Sequence, residues 1–157
     1  MKKEVIPEII IALLVLLFLY ASFSKFFNMP GFVASMGKQP FPRWMQEVIV
    51  WTLPGSEAII AVLLVPRRTR QFGLYAFSIL MGLFTLYIAA ILLHAFPYVP
   101  CTCGGVISRL RWSQHFIFNL FFLSLAISGI RLNIFHARNQ VSTAGPDKTG
   151  HLNSIKK

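Results

Sequence analysis

Residues 5–27 read VIPEIIIALLVLLFLYASFSKFF. The run is long enough to cross a bilayer as one helix, which takes about 20 predominantly apolar residues. Three further blocks of the same kind follow: Trp44–Val65, Phe72–Phe96 and Ser113–Ile134. Four such blocks predict an all-α polytopic membrane protein. Its single domain, residues 1–138, is expected to be a four-transmembrane-helix bundle. Composition agrees, with 55% hydrophobic and 13% charged residues. A soluble domain of this length needs more polar surface.

Met1-Lys2-Lys3 ahead of the first block has the outline of a secretory signal. The block is long, however, and Ala21-Ser22-Phe23-Ser24 is a poor cleavage site. An uncleaved first helix is expected, with Pro7 near its start, where a missing N–H does least harm. The net charge of +10 does not point to nucleic acid. Lys and Arg gather at the ends of the apolar blocks, as membrane anchors do, and form no basic face interleaved with aromatics. The partner implied is the lipid bilayer.

Positive residues also set the orientation. With the N-terminus inside, one side holds ten: Lys2, Lys3, Arg67, Arg68, Arg70, Arg131, Arg138, Lys148, Lys156 and Lys157. The other holds five: Lys25, Lys38, Arg43, Arg109 and Arg111. The bias predicts a multi-pass protein of the cytoplasmic (inner) membrane with both termini cytoplasmic. The polar stretch 139–157, with Gly145-Pro146, reads as a disordered cytoplasmic tail.

Residues 28–43 read as a loop in which Pro30-Gly31 and Pro40-Phe41-Pro42 mark turns. Trp44 and Trp51 suit the headgroup zone. In the second span Pro54-Gly55 is expected to kink or loosen the helix. Glu57 is the acid deep in a span, and an intramembrane carboxylate is a functional or pairing candidate by default. Its candidate roles are proton relay and buried polar partner. Lys25 reads as a lysine snorkelling to the interface. It is also the obvious partner for Glu57, but Glu57 lies 13 residues beyond Trp44, about 20 Å along a helix. At that depth, pairing requires a bent helix or a long reach. In the third span Ser78, Gly82, Thr85 and Ala89 form a small-residue stripe suited to close helix packing. Ser113 reads as the N-cap of the fourth span, on which His115 and Asn119 share a face.

The chain's two cysteines lie in Pro100-Cys101-Thr102-Cys103-Gly104-Gly105, between the third and fourth spans. The charge bias puts this loop outside, where disulfides persist. Residues i and i+2 can be bridged only in a tight turn, which the flanking proline and glycines favour. So small a ring would be strained and easily reduced, and it would add little stability. Thiol–disulfide exchange by Cys101 and Cys103 is therefore the favoured chemistry. Arg109, Arg111 and His115, or His94, are candidates for favouring the thiolate. Two other readings compete: a soft-metal site using both thiolates with His94 or His115, and inert thiols in an accessory or scaffold subunit.

The layout resembles the MauE branch of the DoxX-like redox-associated membrane proteins, over about residues 5–134. The carriers are Phe23-Ser24-Lys25-Phe26-Phe27-Asn28, Leu53-Pro54-Gly55-Ser56-Glu57 and the cysteine stretch. The resemblance implies a four-helix inner-membrane bundle tied to maturation of methylamine dehydrogenase, whose small subunit needs periplasmic disulfides. It also implies work beside a periplasmic thioredoxin-like protein or a disulfide-containing client. DoxX relatives are associated with quinone-linked oxidation of sulfur compounds. A quinone between the helices is accordingly a candidate electron acceptor, by analogy with other four-helix thiol oxidases.

Overall fold

The chain is described by a computed structural model over residues 2–95 and 112–143, with side chains over 5–95 and 112–134. Within the described residues five helices follow in order: α1 Lys2–Phe27, α2 Met29–Met36, α3 Arg43–Leu64, α4 Arg70–Leu92 and α5 Trp112–Thr143. Four carry stretches long and apolar enough to cross a membrane: Val5–Phe27, Arg43–Leu64, Arg70–Leu92 and Trp112–Ile134. The protein is a multi-pass helical membrane protein.

The four long helices pack in the cyclic order α1, α3, α4, α5, with α5 closing back on α1. Leu14, Leu64, Leu74, Phe77 and Ala126 are wholly enclosed. Phe18 of α1 stacks on Phe77 of α4 across the diagonal, with ring centroids 4.1 Å apart. Leu16, Phe72, Ile79 and Leu86 point outward. Those outward apolar side chains would be a liability in water and are at home among acyl chains.

The small helix α2 replaces the expected loop. Asn28 caps it by accepting a hydrogen bond from the Gly31 N–H at 3.3 Å. Pro30 stands in its first turn, where its fixed φ suits a helix and its missing N–H is no loss. A Cβ at Gly31 would come within 2.5 Å of the Asn28 amide, so a larger residue there would push the capping side chain aside. Pro-Gly therefore starts a helix rather than closing a turn. Packed against α1 and α3, α2 caps one end of the bundle and buries Phe32.

Several other boundaries differ from the sequence expectation. α4 stops at Leu92, because His94 adopts a left-handed backbone with φ 57°. The N–H of Ala95 donates to Ala90 O and that of His94 to Ile91 O, which closes the helix with a Schellman motif. Ser113 lies inside α5 rather than capping it, and the helix continues through residues 139–143 of the stretch read as a tail. α3 passes through Pro54 as one helix.

The small-residue stripe on α4 is not where the helices meet most closely. A Cβ on Gly82 would touch nothing within 4 Å. The close approach is at Gly73, where a Cβ would lie 3.0 Å from Leu64 N and 3.1 Å from Leu63 C, at the α3–α4 corner. Those neighbours are mainly backbone and cannot swing aside. Gly73→Ala is expected to destabilise the protein by about 1–3 kcal/mol, as overpacking does. Gly82→Ala should be nearly neutral, and thermal unfolding in detergent compares the two.

At the end of the bundle remote from α2, Arg70 grips Glu8 of α1 with two hydrogen bonds of 2.9 and 3.1 Å. Its Nε also donates to the Leu64 carbonyl that ends α3, at 3.4 Å. Asn133 donates to Gln71 at 2.7 Å and ties α5 to α4. These polar ties hold one end of the bundle shut. The other end, beneath α2, holds the cavity.

Candidate functional site

Beneath α2 the bundle encloses a cavity of about 500 Å³. α3 contributes a stripe at helical spacing, Met45, Ile49, Leu53 and Glu57. α1 adds Phe18, Ala21 and Lys25, and α4 adds Met81, Phe84 and Tyr87. His115, Phe118 and Asn119 come from α5, while Phe32, Ser35 and Met36 of α2 form the roof. The walls are mostly apolar, and the polar groups are few and specific.

Lys25 and Glu57 are the most polar of them. Lys25 Nζ donates to both Glu57 carboxylate oxygens, at 2.8 and 2.9 Å. The side chains are only 5% and 2% exposed. Lys25 therefore does not snorkel to the surface, and the depth mismatch read from the sequence is overcome without a long insertion. Side chains on a helix lean toward its N-terminus. α1 and α3 run antiparallel, so Lys25 leans down into the bundle while Glu57 leans up toward α2. The two lengths add and close the gap. Lys25 Nζ also donates to Ala21 O, one turn back, at 3.2 Å. That contact records the backward lean.

The surroundings hold the pair in register. Ser22 Oγ donates to Pro54 O at 2.8 Å and pins α1 to α3 beside it. Phe32 lies under the ammonium, 5.9 Å from ring centroid to Nζ. The Tyr87 hydroxyl donates to Gln39 Oε1, joining α4 to the segment after α2. Gln46 Nε2 donates to Phe41 O at 2.8 Å and to Gln39 O at 3.2 Å, which fixes that segment over the cavity.

His115 and Asn119 turn inward from α5, only 7% and 3% exposed. Among the described residues, His115 Nδ1 is buried and makes no hydrogen bond. His94, by contrast, is exposed at the end of α4. Of the predicted site residues, the structure brings Glu57 and His115 to one cavity. Cys101, Cys103, Arg109 and Arg111 lie outside the described residues. The segment that carries them joins the end of α4 to the start of α5, so both its attachments are at the α2 end of the bundle. Lys25, Gln39 and Tyr87 were not among the predicted site residues. Lys25 is named from the sequence as a candidate partner of Glu57, and the lean of helical side chains supplies the reach that residue counting denies it. Gln39 and Tyr87 carry no pattern that separates them from any loop glutamine or apolar-helix tyrosine.

A four-span helical bundle with a buried ion pair beside a largely apolar cavity defines a class of small multi-pass membrane proteins. Within that class the chain belongs to the MauE family: the family model described as "Methylamine utilisation protein MauE" matches residues 3–132. No curated protein and no solved structure matches.

Proposed function

We propose that this protein carries out thiol–disulfide exchange at the outer surface of the cytoplasmic membrane, with Cys101 and Cys103 as the exchanging pair. Its partner would be a periplasmic thioredoxin-like protein or a disulfide-containing client, and its context methylamine utilisation, as the family description suggests. The orientation rests on the excess of Lys and Arg on the side of both termini. The observation that carries the proposal is the attachment of the cysteine segment to α4 and α5, two of the helices that wall the cavity.

The exchange balances as follows. A client thiolate attacks the Cys101–Cys103 disulfide and forms a mixed disulfide. The client's second thiolate resolves it, leaving the client oxidised, and the two thiolates released on Cys101 and Cys103 take up the protons that the client thiols lost on ionising. Two electrons and two protons have then moved to this protein. A strained short-ring disulfide has a high reduction potential, which suits it to oxidise a client. Restoring it needs a two-electron acceptor, for which a lipid-soluble quinone is the chemical class proposed.

The cavity residues fit such a group. Its walls are apolar, its volume of about 500 Å³ falls within the usual range for ligand sites, and the buried His115 Nδ1 makes no hydrogen bond among the described residues. Phe18, Phe84 and Phe118 would flank a ring, with His115 and Asn119 at its polar edge. When bound, a quinone would take up the two electrons and two protons released as the thiols close. The protein's own part is to hold the ring near the start of α5, to exclude water and to keep the roof of α2 closed over it.

The experiment is capture of the partner. In membranes of cells producing Cys103→Ser, a covalent adduct that dissolves on reduction is expected. The adduct should contain a periplasmic protein with its own cysteine pair. Neither single-cysteine variant giving any reducible adduct would count against the exchange reaction.

A further inference from the structure

We propose that the cavity beneath α2 is a binding site selective for an uncharged, lipid-soluble ligand whose polar head is held by His115 Nδ1. This deepens the redox reading above and rests on it for the ligand's use, though not for its binding.

Three features converge. Among the described residues His115 Nδ1 has no partner, and a buried polar atom left so costs about 1–3 kcal/mol, which a ligand atom placed against it recovers. His115 is 7% exposed and lines the cavity. The second feature is charge. Lys25 and Glu57 already neutralise each other through two short hydrogen bonds. An ionic ligand would bring an unmatched charge into an apolar enclosure, which is expensive at this depth. A neutral head leaves the pair undisturbed.

The third feature is access. Leu83 lines the cavity yet is itself 59% exposed on the outer face of α4. One edge of the cavity therefore meets the acyl chains, where a hydrocarbon tail can remain. The head then lies against the first turns of α5, the helix that follows the cysteine segment in the chain. Glu57 is committed to Lys25, so His115 is assigned as the residue that contacts the ligand head.

The test uses the full chain in phosphatidylcholine nanodiscs and a radiolabelled benzoquinone bearing a decyl tail. Saturable binding is expected. His115→Phe should weaken it about tenfold, equivalent to one lost hydrogen bond. His115→Asn, whose amide occupies the position of Nδ1, should bind within about threefold of the wild type. The double variant Cys101→Ser/Cys103→Ser should bind as the wild type does. Unlabelled decylbenzoquinone should displace the probe, and the decylbenzoate anion should not. An azido analogue should label wild-type α4 or α5 at cavity residues, a readout independent of whether variants fold. Unsaturable partition, full binding by a folded His115→Phe, displacement by the anion at the same concentration, or labelling confined to residues away from the cavity would each overturn the proposal. Loss of binding with thiol exchange intact sinks this inference alone; binding with inert thiols sinks the exchange reaction alone.

Discussion

Glu57→Gln is expected to lower stability by about 3–5 kcal/mol and the unfolding midpoint by on the order of 10 °C. The change removes the negative partner and leaves the Lys25 ammonium enclosed at 5% exposure. Lys25 can escape only by swinging toward the surface, through the space that Phe32 and α2 now fill. The substitution should therefore loosen α2 as well as the α1–α3 contact. Lys25→Met should cost a similar amount for the mirror-image reason. The double variant Lys25→Met/Glu57→Met should recover most of the loss, because a buried ion pair replaced by apolar groups of similar size is often neutral. Thermal unfolding of the four proteins in one detergent completes the cycle. Additive losses in the double variant would show that the pair does not act as a unit.

The second large effect is on chemistry and leaves the fold alone. Cys101→Ser and Cys103→Ser should each abolish turnover of a dithiol client in the proposed reaction, and the double variant should be no worse than either single. Residues that act as one device are not additive in this way. A ring closed over so few residues contributes little to stability, so all three variants should melt with the wild type. Glu57→Gln and the cysteine variants thus separate the bundle from its exchange chemistry. Client oxidation by membranes, followed alongside unfolding midpoints, measures both.

Much of the fold is written in the sequence because the bilayer imposes it. Apolar runs of about 20 residues have few alternatives to spanning helices, so the second span differs from α3 by one residue at each end. α2 was hidden because Pro30-Gly31 signals a turn unless Asn28 is seen as a cap with Gly31 making room for its amide. The end of α4 falls a few residues before that of the apolar block, because His94 turns left-handed and stops the helix while the apolar run continues to Phe96. The stripe at Gly82 misled because small residues permit close packing without compelling it. Within the site, the i, i+4 spacing of His115 and Asn119 was visible, and so was the oddity of Glu57 in a span. Lys25 is legible as its candidate partner, but the contact itself is not, because residue counting measures backbone depth while two long side chains leaning toward each other decide contact. Tyr87 and Gln39 meet only through tertiary structure.

The proposed exchange requires Cys101 and Cys103 to change oxidation state in the membrane. Membranes are quenched in acid, with and without prior reductant, and free thiols are tagged with a mass-shifting maleimide. Untreated wild-type protein should resist tagging in part, and reductant should expose two thiols. Each single variant should expose its one remaining thiol without reductant, apart from any fraction held by a partner. Two thiols fully tagged in oxidising membranes, with and without reductant alike, would contradict the exchange reaction and leave the protein a non-catalytic accessory subunit.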